Sequence, residues 1–92
     1  MLQNFKGVGL LSAWRKNLSK GELGLHFHLE DGTRLRGEVN YWKHHRFMVL
    51  RLGSVLSFTV REGAVILDDE IGGLGPLSLP ISEIRELRSI RD

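Results

Sequence analysis

The stretch from Leu23 to Tyr41 leaves few folds open. Leu23, Leu25, Phe27 and Leu29 alternate with polar residues, and Leu35, Val39 and Tyr41 resume the pattern after a turn, so the segment reads as a β-hairpin with one face toward a core. The turn decides the register. A two-residue Asp31-Gly32 loop would set Leu29 opposite Arg34 and Phe27 opposite Arg36, mixing apolar and charged groups on one face. A three-residue loop, Glu30-Asp31-Gly32 with the glycine left-handed, instead pairs Leu29 with Thr33 and Phe27 with Leu35. The polar face then sets His28 beside Arg34 and His26 beside Arg36.

The rest of the chain extends this hairpin into a predicted small, bent, five-stranded barrel. Gly37 permits a sharp bend inside the second strand. "RFMVLRL" reads as a strand buried on both faces, and Gly53-Ser54 as a two-residue hairpin turn. "VLSFTV" and "AVILDD" follow, joined by "REG" as a second three-residue loop. Before the hairpin, Leu10, Leu11, Trp14 and Leu18 have helical spacing and Gly21 is a stop signal, which predicts a short α-helix over about 8–20 with Trp14 in the core. The barrel is expected over about 23–69. Residues 70–92 are expected as a C-terminal extension, in which either Ser82 caps a brief helix or "LSLP" pairs with a barrel edge.

With 92 residues, 41% apolar and 26% charged, the chain is expected to be one soluble domain over 1–92. It has no cysteine, which excludes disulfides, thiolate nucleophiles and cysteine zinc sites, so packing or self-association must supply stability. Arg15 and Lys16 interrupt the N-terminal apolar run and no small-residue cleavage site follows, so a cytoplasmic protein without a membrane partner is expected. Charge is uneven. Residues 1–61 carry 10 Lys/Arg against 4 Asp/Glu, and residues 62–92 carry 3 against 7, which suggests a basic surface for a polyanion and a distinct acidic C-terminal portion.

Little here suggests catalysis. No nucleophile stands with a base, Asp68, Asp69 and Glu70 alternate in direction, and "GGLG" lacks the lysine of a phosphate loop. The four histidines, His26, His28, His44 and His45, raise a metal site, but arginines beside the first two would repel a cation, so no metal and no cofactor are expected. Nucleic acid suits the composition better. Arg34, Arg36, Tyr41, Trp42, Lys43, His44, His45, Arg46 and Arg61 combine cations with flat rings, as backbone binding and base stacking require. Tyr41 and Trp42 face opposite ways on a strand, so one is expected exposed and the other in the core.

In "FHLEDGTRLRGEVNYWKHHRFMVL", Phe27, Leu29, Gly32, Leu35, Gly37, the aromatic Trp42 and the apolar run Phe47 to Leu50 resemble the first half of the Sm-like proteins, the family that includes the bacterial RNA chaperone Hfq. The resemblance covers roughly residues 8–69. It implies a short helix on a bent five-stranded Sm-like barrel of the SH3-like type, copies joined edge to edge into a homo-oligomeric ring, and single-stranded RNA bound without catalysis. It also implies a role in RNA chaperoning or post-transcriptional regulation. The chain departs from the family where Lys43 replaces an acidic residue, where Phe47 stands at an RNA-contacting asparagine, and where Arg61-Glu62 stands at the Lys-His of Hfq. The alternative expectation is a small barrel that serves as a protein-interaction module, with the C-terminal extension recruiting a partner.

Overall fold

A computed structural model describes residues 5–49, 53–67 and 76–90. Among them are seven strands and no α-helix: β1 (Val8–Asn17), β2 (Glu22–Leu29), β3 (Arg34–Asn40), β4 (Val55–Arg61), β5 (Ala64–Leu67), β6 (Leu77–Pro80) and β7 (Arg85–Ser89). They form one antiparallel sheet in the order β6-β5-β4-β1-β2-β3-β7. No helix among the described residues is long and apolar enough to cross a membrane.

The β2–β3 hairpin has the expected register, with Phe27 opposite Leu35, His26 opposite Arg36 and His28 opposite Arg34. Leu29 N donates to Thr33 O at 2.9 Å, and Gly32 takes the left-handed φ of 91°. The Asp31 side chain accepts from Thr33 N at 2.8 Å, and the hydrogen bonds from Thr33 hold its carboxyl below the ordinary carboxylate value.

The expected N-terminal helix is instead a strand followed by a 3₁₀ turn at Leu18–Lys20. Leu11 and Ala13 are buried, whereas Leu10 is exposed and Trp14 half-buried on the other side. The residues thus obey a period of two, and β1 is held between β2 and β4, a tertiary arrangement that overrides the helical spacing. Trp14 therefore lies outside the core.

The described part of "RFMVLRL", 46–49, is not the expected strand, and 50–52 lie outside the described residues. Trp42 N and Lys43 N donate to the Asn40 Oδ1 at 3.0 and 3.2 Å, and this side-chain-made turn ends β3 and leads into a 3₁₀ helix at His45–Val49. Phe47 is buried in the core. Gly53 is left-handed, and among the described residues the strand neighbours of β4 are β1 and β5; the residues just before Gly53 that the expected hairpin needs lie outside the described residues. The "REG" loop is tighter than expected: Arg61 pairs with Ala64, and Glu62 and Gly63 alone form the turn, both with positive φ.

The largest departure is at the C-terminus. Residues 77–89 are not an appendage to five strands but supply both margins of the sheet. β6 pairs with β5, as "LSLP" on a barrel edge would, and β7 pairs with β3 at the far side. Only Ile81–Ile84 connect them, with a 3₁₀ turn at Ile81–Glu83, so the sheet has to curl into a half-barrel until its margins approach. Leu77, Leu79, Ile81 and Ile84 are all buried, each contributing about 1.5–3 kcal/mol. Opposite Gly37 the β3–β7 register slips, so that Gly37 faces two residues, Glu86 and Leu87. A Cβ on Gly37 would come within 2.6 Å of Ile84 Cγ2, so the missing side chain makes room for the turn that joins the margins. The middle of the core is Phe27, fully buried with its ring 5.3 Å from Phe58 and 5.6 Å from Phe5.

Candidate nucleic-acid interface

The convex face of β1, β2, β3 and β7 is built by strand alternation. One row of register partners runs Ser12, His26, Arg36, Arg88, and the next runs Leu10, His28, Arg34. Like charges set directly opposite each other cost a few tenths of a kcal/mol or more, so the Arg36–Arg88 pair is not there for stability. Neither guanidinium has an ion-pair partner among the described residues.

Flat rings lie among these cations. Trp14 rests on Gly24, where any Cβ would strike the indole, and the Arg36 guanidinium lies 4.7 Å from the indole centroid. His26 meets Trp14 edge-on at 6.4 Å and sits 4.5 Å from His28. Beside them a cleft of about 210 Å³ opens between Trp14 and β7, lined also by Lys16, Arg36, Glu38, Glu86 and Arg88. Glu38 is buried there and doubly compensated, by the Lys16 ammonium and by Arg85 Nη2 at 2.9 Å from Oε1. The hydrogen bond to Glu38 raises the Lys16 pKa above its ordinary value.

Burial, followed by repulsion from His28, Arg34 and Arg36, pushes the His26 imidazole below its ordinary value of 6.5. Its Nε2 is shielded from solvent and has no hydrogen-bond partner among the described residues. His26 is therefore a neutral ring at pH 7. Below about pH 6.5 the unfolded chain binds this proton more readily than the folded one, so the stability present above that pH is lost on acidification. We expect the thermal midpoint to fall by about 2 °C between pH 7.5 and 5.5, and to fall less in His26→Gln. Differential scanning calorimetry at matched ionic strength checks this.

The expected site residues do not converge. Arg34 and Arg36 are on this face, but Tyr41 to Arg46 follow the far end of β3, about 20 Å from Arg34 at strand rise. There Trp42 is 60% exposed and lies over Gly21, while Tyr41 is partly buried against the core, the division expected for this pair. Lys43 Nζ is 3.1 Å from Glu83, and His44 Nε2 is 3.7 Å from the same carboxylate. The Lys43 contact, with His44 behind it, holds the Glu83 carboxyl below its ordinary value. His45 and Arg46 are exposed beside this pair, and Arg61 stands apart at the β4–β5 turn. No three His, Asp, Glu or Cys side chains among the described residues are placed to share a metal ion.

Sequence reasoning missed Trp14 and Arg88, because both lie on strands read as something else. It also set a basic body against an acidic C-terminal portion. Instead β7 brings Arg85 and Arg88 to the basic face, and Glu83 and Glu86 pair with Lys43 and Lys16. No protein-family model matches the chain, and no curated protein or solved structure matches it either.

Proposed function

We propose that this protein binds single-stranded RNA, without catalysis, on the convex face of β1, β2, β3 and β7. The observation that carries the reading is the row His26–Arg36–Arg88 beside Trp14: adjacent guanidiniums with no carboxylate partner among the described residues, next to an indole and two imidazoles. Guanidiniums hold phosphates and flat rings hold bases, and a sheet face presents both along a strand of nucleic acid. The curled antiparallel sheet supports the small-barrel part of the Sm-like resemblance. Assembly into a homo-oligomer through the outer edges of β6 and β7 belongs to the same reading, and light scattering tests it.

Affinity for a fluorescein-labelled oligoadenylate, followed by anisotropy, is expected to fall with salt at a log–log slope of about −2, as three arginine–phosphate contacts require. Arg36→Ala with Arg88→Ala should flatten that slope by about 1.4. A slope near zero would instead favour a protein-interaction module. That second reading has its own support: Val8, Leu10 and Val55 form an exposed apolar stripe across β1 and β4, and apolar docking is insensitive to salt.

A further inference from the structure

Resting on that RNA reading, we propose that the cleft between Trp14 and β7 is a guanine-selective subsite, with the Glu86 carboxylate accepting the two donors of the base's Watson–Crick edge. The first observation is backbone. Glu86 has φ 54°, a left-handed value ordinarily left to glycine, at the extra residue of the β3–β7 bulge. A bulge re-aims the side chain it carries, and this one brings a carboxylate onto the face of Trp14, Lys16, Arg36 and Arg88. Strained backbone is concentrated at functional sites, and unlike Glu62, whose left-handed φ serves a two-residue turn, Glu86 lies in a strand beside a cleft.

The second observation is availability. Glu38, the other carboxylate in the cleft, is buried and engaged by both Lys16 and Arg85. Among the described residues Glu86 has only Lys16, at 3.4 Å, and its side chain is 69% exposed. An ionised carboxylate only accepts hydrogen bonds. Guanine offers N1–H and N2–H₂ side by side, pointing the same way. Adenine and cytosine set an amino donor beside an unprotonated ring nitrogen, which a carboxylate repels, and uracil has one N–H between two carbonyl oxygens. The Arg36 guanidinium, backed by the Trp14 indole, receives the face of the base, and Arg88 beside it is placed for a flanking phosphate.

The test compares labelled (AG)₆ with A₁₂, which avoids the self-association of guanine runs. The native protein should bind (AG)₆ about tenfold more tightly. Glu86→Gln should erase that preference by raising A₁₂ affinity toward that for (AG)₆, since the carboxylate that repels adenine's ring nitrogen is replaced by an amide that both donates and accepts. Glu86→Gly, which suits the left-handed backbone, should also erase it and covers the case in which the glutamine variant fails to fold. Equal binding of the two RNAs by the native protein would overturn the subsite and leave the RNA reading standing. Binding of neither would overturn both, and a preference that survives both substitutions would remove Glu86 from the site.

Discussion

Phe27→Ala is expected to lower the unfolding free energy by about 3–5 kcal/mol, a large share of what a domain of this size has. Phe27 is fully buried in β2, the strand between β1 and β3, and its ring meets Phe58 of β4 and Phe5 ahead of β1. It thereby joins parts of the sheet that the backbone ladder does not pair directly, and truncation leaves a void that a tightly curled sheet cannot close. Urea unfolding followed by circular dichroism reads the change as a shift in midpoint at constant slope. Trp42→Ala is the control: that side chain is 60% exposed, and its loss should shift the same midpoint far less. Equal shifts would mean that the core does not centre on Phe27.

Trp14→Ala is expected to weaken RNA binding by about 10- to 100-fold while the protein stays folded, because each stacked base contributes about 1–3 kcal/mol. The indole is half-buried on the convex face, bounded by Gly24 below, Arg36 above and His26 at its edge, so its removal takes away the support that holds the Arg36 guanidinium flat for a base to stack on, without opening the core. Anisotropy with the same labelled oligonucleotides gives the affinity. Trp42→Ala again discriminates. If it abolished binding and Trp14→Ala did not, the site would lie with Lys43 and His44 at the far end of β3.

Where alternation and turn chemistry agreed, the fold was legible in the sequence. For the β2–β3 hairpin, one register satisfied both Phe27–Leu35 pairing and the left-handed Gly32, and it is the one found. β1 and β7 were illegible because a strand can imitate helical spacing. Ile84, Leu87 and Ile90 recur every three residues, but between the first two the bulge at Glu86 adds one residue to a period of two, so Ile84 and Leu87 both reach the core. In β1 the separation of Leu11 and Trp14 by three residues puts them on opposite faces, one in the core and one beside His26. The site was half legible for the same reason. Arg34 and Arg36 came with the correctly read hairpin, whereas Trp14 and Arg88 belonged to strands whose neighbours lie far away in the chain. The run Tyr41 to Arg46 was conspicuous because it is contiguous, yet the side-chain hydrogen bonds of Asn40 carry it away from the convex face.

The link from β6 through Ile81–Ile84 to β7 has a consequence for biogenesis. Both rims of the sheet are closed by a single late-synthesised piece of chain, so a nascent polypeptide halted before Leu77 exposes β3 and β5 together, with their outward amides and carbonyls unmet. Two chains completed side by side on one message can each lay this segment on the other's open strands, and an exchanged pair would preserve every strand partnership of the solitary molecule.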